Sequence, residues 1–324
     1  MIFFENYKSE VNLILDIRTY LGEKGKCRYC GKSAPVVTFK KIAHAIPELL
    51  GNKFLFSNDE CDICNSYFDK HLENNLANFL GVLRTTSQIN GKKGVPITKS
   101  SAGDRIEAIN GDIVIIHSEE SEILKPLDHK TVMISSSSTT YVPINVYKCL
   151  VKIALSAMPA YALKGFKECF RWIRYNEEPA KFDSRTLTLN ITMVPGINPF
   201  RKLWLQIYKR TGDKGKFPYM ICIMAFSNYM FQFVIPFNKK DKYLNLDKTQ
   251  IPVFPMLNGF ILPGQAPNIK PSFQSVDLSG KSKVSTPNVS YMHIEQTEKL
   301  ITPNDLPEEI KNRIKSLGLE FEIQ

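Results

Sequence analysis

Two cysteine pairs, Cys27-Arg28-Tyr29-Cys30 and Cys61-Asp62-Ile63-Cys64, bracket one histidine, His44. Four thiolates in two tight pairs make a tetrahedral zinc site, and the two-residue gap suits a metal knuckle better than a disulfide staple. A zinc held by four protein ligands has no open position for substrate, so the quartet reads as a scaffold. In comparable peptides such sites supply about 10–16 kcal/mol of folding free energy. The second pair runs straight into Asn65. A zinc knot that displays an imidazole beside an Asn-headed helix is an outline suited to metal-assisted hydrolysis.

Several elements must position these groups. After Cys61, the apolar residues Tyr67, Phe68, Leu72, Leu76, Phe79, Leu80 and Leu83 recur at three and four, which predicts a helix launched from the second knuckle. Residues 1–22 read as a partly helical lead-in, with Val11, Leu13, Ile14, Ile17, Tyr20 and Leu21 in helical spacing before Gly22 and Gly25. The stretches Gly91–Gly94 and Lys99–Gly103 are poor in apolar residues and rich in breakers, so 91–110 reads as a linker. Beyond it, 111–116 and 131–135 read as strands, and 145–174 as two helices divided at Pro159. Period-two patterns at 203–208, 220–224 and 230–235 predict antiparallel strands, the first two joined through 211–215 and the set covered on one face by the helices. The stretch 236–304 reads largely as loop. A last helix has Asn304 or Asp305 as cap, Pro307 in its first turn and Gly318 past its end.

The blocks Ala43-His44-Ala45-Ile46-Pro47-Glu48-Leu49-Leu50-Gly51-Asn52-Lys53 and Glu60-Cys61-Asp62-Ile63-Cys64-Asn65-Ser66-Tyr67-Phe68 follow Cys27-x-x-Cys30. Together they resemble the zinc-containing branch of the HNH endonuclease family, over residues 25–84. The resemblance implies a ββα-metal fold: a two-stranded hairpin crossed by one helix, with a catalytic cation between them and His44 ending the first strand. It implies that His44 is the general base, since a neutral imidazole with a pKa of about 6.5 can take a proton from water at neutral pH. It further implies a catalytic Mg²⁺ or Mn²⁺, which needs few protein oxygens. Asn65 is the first choice of ligand. Asp69 and Glu73 follow at i+4 and i+8 and share its helical face, and His71 matches a residue type that completes many HNH sites. Family members commonly carry an acidic residue before the histidine, where this chain has Ala43. The cation is then left to the helix, to Glu48 or to the nucleic acid. Asn52 and Asn58 both fit the asparagine that ties down the intervening loop.

The fold expected is α+β: an N-terminal zinc-bound HNH domain over 1–90, a linker over 91–110, and a basic mixed domain over 111–324 with a helical pair and an antiparallel sheet. The chain has 324 residues and a formal charge of +10, a balance that suits nucleic acid or another polyanion. Residues 1–90 are nearly neutral, so the excess lies beyond them. Lys148, Lys152, Lys164, Lys167, Arg171 and Arg174 recur at three- and four-residue steps as a phosphate-facing stripe or a solvated face, the second reading favoured. Cys149, Cys169 and Cys222 read as small buried hydrophobes, and His117, His129 and His293 have no assigned role. An odd number of cysteines without a secretory segment points to a reducing cytoplasm. No apolar run approaches the roughly 20 residues that span a bilayer.

The function expected is hydrolysis of nucleic acid phosphodiesters, DNA foremost. Proteins of this resemblance serve in bacterial antiphage defence, some with a C-terminal sensing domain. One HNH domain nicks one strand, so a double-strand cutter would be a homodimer. Two alternatives stand beside this reading. One is a zinc-stabilised nucleic-acid-binding module without cleavage. The other is an effector that a small molecule or protein activates.

Overall fold

The structure is a computed structural model. It describes residues 2–100, 103–117, 121, 123–128, 130–137, 139–179, 187–212, 215–242, 244, 249–254, 270–293 and 305–318. His129, Asn304 and much of the expected 236–304 loop lie outside the described residues, as does the side chain of His293.

The chain opens with a short helix α1 (Ile2–Asn6) and strands β1 (Tyr7–Ile14), β2 (Thr19–Leu21), β3 (Ala43–His44) and β4 (Leu55–Ser57). Helix α2 (Asp62–Phe68), a π-helical segment (Asp69–Glu73) and α3 (Asn74–Leu80) form one continuous rod, followed by α4 (Leu83–Thr86). Strands β5 (Thr98–Lys99), β6 (Arg105–Ile109), β7 (Asp112–Ile116), β8 (Leu124–Pro126) and β9 (Thr131–Ser137) come next. Helices α5 (Pro143–Ala157) and α6 (Lys167–Tyr175) precede β10 (Thr188–Met193), β11 (Phe200–Arg210), β12 (Met220–Ser227) and β13 (Tyr229–Val234). Strands β14 (Ser272–Asp277) and β15 (Pro287–His293) and helix α7 (Glu308–Ser316) complete the described elements.

Contacts divide the chain into two units. The first comprises Met1–Leu80, Ile89–Gly94 and Thr139–Ser285. Its main sheet has six antiparallel strands in the order β1-β11-β12-β13-β10-β14. A second sheet of three strands has the order β2-β4-β3, with β2 parallel and β3 antiparallel to β4. Tyr147 of α5 donates to the Val234 carbonyl at 2.8 Å and packs edge-on to Phe233, so the helix lies on one face of the six-stranded sheet. Phe3, Tyr7, Ile221, Ile223, Met230 and Val234 form a core cluster on alternate positions. Strands β12 and β13 are therefore covered on both faces, which explains their near-continuous apolar run. Helix α5 is buried all round except at Asn145, although Asn145, Lys148, Lys152 and Ser156 recur at three- and four-residue steps as a polar stripe.

The second unit comprises Gly81–Gln88, Val95–Ser138 and Thr286–Gln324. It holds the three-stranded sheets β5-β6-β7 and β15-β9-β8. Val82, Ile106, Ile123 and Ile134 make its core cluster, and Arg313 of α7 pairs with Glu107 of β6 at 3.0 Å.

Some expected elements differ. The lead-in, expected to be partly helical through Val11–Leu21, is helical only over Ile2–Asn6 and then forms β1 and β2: its buried positions Tyr7, Val11 and Leu15 recur at four, a spacing that strand and helix share. Residues 91–110, read as a linker, supply β5 and β6. The division at 90 and 111 is not the one the fold makes, because β1 pairs with β11 from Tyr7↔Arg210 to Ile14↔Trp204. Strands β14 and β15 arise in the segment read as loop. Helix α7 begins after Pro307 without a side-chain cap.

Candidate metal centre and nuclease site

The Sγ atoms of Cys27, Cys30, Cys61 and Cys64 lie within 4.8 Å of one another, with Cys30 and Cys61 3.8 Å apart. Zinc–sulfur bonds of about 2.3 Å span a tetrahedron with edges of about 3.8 Å, so the quartet has the dimensions of a structural zinc site. Without a cation the thiols conflict. Donation from Cys64, aided by backbone amides, holds Cys27 down at about 4. Donation to Cys27, with burial, holds Cys64 far above the thiol range, and burial pushes Cys61 up to about 11. A divalent cation removes the conflict by keeping all four as thiolates.

The first knuckle rests on helix α5 through its two intervening residues. Arg28 Nη1 donates to the carbonyls of Leu155, Ser156 and Met158 at 2.6, 3.0 and 3.1 Å, where the helix ends and its carbonyls lack partners. The same guanidinium pairs with Asp59 at 2.7 Å. The Tyr29 hydroxyl meets Ser156 Oγ at 2.5 Å. From α6, Arg174 Nε donates to Cys64 Sγ at 3.2 Å, with its guanidinium over the rings of Tyr67 and Tyr175.

The hairpin is β3 against β4, and His44 ends β3 opposite Phe56. The loop between them is tied by Asn52. Its Nδ2 donates to the carbonyls of Ile46 and Leu55, and its Oδ1 accepts from the amides of Phe54 and Leu55. Gly51, at φ +86°, makes the left-handed step that presents it. The Asn58 side chain makes only a 3.4 Å contact, to the Gly22 carbonyl, so the choice between the two asparagines falls to Asn52. The His44 ring packs on Phe56 at 4.9 Å. Burial, opposed by Glu48 and reinforced by Lys152, Lys53 and Lys92, holds its pKa below the ordinary histidine value. The imidazole is thus held neutral, the state that accepts a proton.

The rod leaving the second knuckle begins as expected, with Cys61 at its N-cap position. Asn65 and Asp69 keep helical register, the Asp69 amide bonding the Asn65 carbonyl, but Glu73 leaves their face. Residues 69–73 are π-helical, with the Asn74 amide bonding the Asp69 carbonyl, and the wider turn shifts the phase. Asp69 is exposed, as is His71, whose ring packs on Tyr67 at 4.7 Å. Glu73 turns inward to Lys152, 4.0 Å away, and burial raises its pKa. Asn65 is half-buried, directly beyond the thiolate quartet. Among the described residues, the cysteine quartet is the one group of three or more His, Cys, Asp or Glu side chains gathered within coordination reach.

The spacing of the basic residues places Lys152 on a solvated stripe; the structure buries it instead. It is fully buried, 3.1 Å from Glu60, and donates to the His44 carbonyl at 2.9 Å. Burial alone would neutralise it, but Glu60, Tyr29 and Glu73 outweigh that cost and hold it charged. Burial likewise raises Glu60 to about 7 against the pull of Lys152. Lys148 is also buried, donating to Asn176 at 2.6 Å over the Trp172 ring.

Residues 27–80 match the HNH endonuclease family. The chain carries an N-terminal HNH domain with a four-cysteine metal site, and a domain of this family points to nuclease or nucleic-acid-related work. No curated protein and no solved structure matches the chain. Among the described residues, no helix is long and apolar enough to cross a membrane.

Proposed function

We propose that this chain is a metal-dependent endonuclease that hydrolyses phosphodiesters, in DNA foremost, with His44 as general base. The observation that carries the reading is His44 itself: a neutral imidazole at the end of β3, packed on Phe56, in a stretch that matches a nuclease family. His44 takes a proton from water as the water oxygen bonds to phosphorus. The bond from phosphorus to the 3′ oxygen breaks, and that oxygen gains a proton from solvent. Asn65, with a hard carboxamide oxygen, and the exposed Asp69 suit a divalent cation that keeps most of its waters. Such an ion, when bound, neutralises charge on the phosphate and the departing oxygen. Glu73, committed to Lys152, is left out of this set, and His71 lies against Tyr67. The quartet holds Zn²⁺ as scaffold.

A plasmid incubated with the protein and Mg²⁺ or Mn²⁺ should be nicked. His44→Ala should abolish nicking while zinc content and melting temperature stay unchanged. The second reading is a nucleic-acid-binding module without cleavage, favoured by Ala43 and by the lack, among the described residues, of a second metal-ligand cluster beside the cysteine quartet. Binding without nicking by the wild-type protein in either metal would establish it.

A further inference from the structure

The β2-β4-β3 sheet extends beyond His44 into a row of rings. Tyr20 of β2 pairs in register with Phe56 of β4, and Phe56 pairs with His44 of β3. Residues directly opposite across strands project from the same face, so the three rings form one row. Tyr20 stacks on Phe56 with centroids 5.1 Å apart and planes at 25°, and Phe56 meets His44 at 4.9 Å. Two strand spacings of about 4.8 Å set Tyr20 about 10 Å from the imidazole. Arg18 adds a flat cation, its guanidinium carbon 4.9 Å from the Phe56 centroid and 5.6 Å from that of Tyr20. Phe56 is buried, while Tyr20 is 45% exposed and Arg18 is exposed. The positive charges of Lys53 and Lys92 act on His44 from the same unit.

We propose that Tyr20 and Arg18 form a stacking subsite for an unstacked nucleobase of the nucleotide beside the phosphate that His44 addresses. The proposal rests on the nuclease reading above and extends it to substrate class: single-stranded or locally opened nucleic acid. Aromatic rings and guanidinium planes are the surfaces on which splayed bases stack, with little preference for base identity. Lys92, with Lys53 (which also pairs with Glu48 at 2.6 Å), gives the backbone a positive field beside His44, and the row sets the base one short step from the cleaved bond. A paired duplex offers no open base face and gains nothing from the subsite.

The test uses the full chain and first measures wild-type nicking. Binding is then measured on the His44→Ala background with a labelled single-stranded DNA. Adding Tyr20→Leu should weaken binding about ten-fold, the size expected for one lost base stack. Tyr20→Trp should restore it, and Arg18→Gln should weaken it about three-fold. A duplex of the same sequence should bind equally with and without Tyr20→Leu. In the active chain, Tyr20→Leu should raise KM and leave kcat nearly unchanged. Equal binding of single strands by Tyr20→Leu and its parent overturns the subsite, as does a loss that Tyr20→Trp fails to restore. If wild-type protein nicks while those results hold, only the subsite falls. If wild-type protein neither nicks nor binds nucleic acid, the nuclease reading falls and the subsite with it.

Discussion

The ammonium of Lys152, on helix α5, donates to the backbone carbonyl of His44 at 2.9 Å. More than a hundred residues separate the two in sequence. The same ammonium is flanked by Glu60 and Glu73, so one buried cation links the hairpin, the second knuckle and the rod. Breaking a buried pair from one side leaves a bare charge behind. Lys152→Met should therefore cost about 3 kcal/mol in chemical denaturation, mostly by stranding Glu60. Adding Glu60→Gln should recover part of that loss, because the stranded charge is then gone. A double mutant no more stable than Lys152→Met would count against this account.

Under the proposed mechanism, the acid limb of the pH–rate profile should follow the surroundings of His44. A base works above its folded pKa and fails as pH falls through it. Burial sets that value below the ordinary one of about 6.5, and Glu48 raises it. Glu48→Gln should therefore move the acid limb of kcat/KM to lower pH. Lys53→Met should move it to higher pH, since Lys53 lowers the imidazole directly. Matched profiles for wild type and both variants would show that another group sets the limb.

Arg174 bears on the metal. Its 3.2 Å contact to Cys64 places a cation against a thiolate, and partners of this kind tune metal affinity by about 10–100-fold. Arg174→Gln should bind zinc yet lose it to a competing chelator about ten times faster than wild type. Cys61→Ser should fail to hold zinc stoichiometrically and should melt well below the parent.

Asn52 and Asn58 offer a matched pair of tests. Asn52 is 1% exposed and makes four hydrogen bonds across the loop. Asn52→Ala should cost about 3 kcal/mol, since it leaves buried backbone groups without partners. Asn58→Ala should stay within about 0.5 kcal/mol, as surface changes do. Thermal and urea unfolding read both.

The zinc quartet, the hairpin histidine and the start of the rod were legible because each depends on neighbours close in sequence. The cysteine spacing fixes the knuckles, and the spacing of Phe68, Leu72, Leu76 and Leu80 fixes the rod. What was not legible depends on distant partners. Nothing near Lys152 in sequence announces Glu60, Glu73 or the His44 carbonyl. Asn52 could be told from Asn58 only once Ile46 and Leu55 were placed. The period-four spacing of Tyr7, Val11 and Leu15 is ambiguous until β11 arrives alongside. The π-helical segment takes Glu73 off the face of Asn65 and Asp69, and nothing in Asp69-Lys70-His71-Leu72-Glu73 signals the wider turn.

The grip of Arg28 and Tyr29 on the last turn of α5 has a temporal side. A ribosome delivers both knuckles long before it delivers Leu155, Ser156 and Met158. Until that helix emerges, the guanidinium has no carbonyls to bind and the hairpin lacks the ammonium beneath it. A growing chain therefore carries both knuckles before the helix that supports them exists, and the four-cysteine site gains its full support only once residues 143–158 have been made.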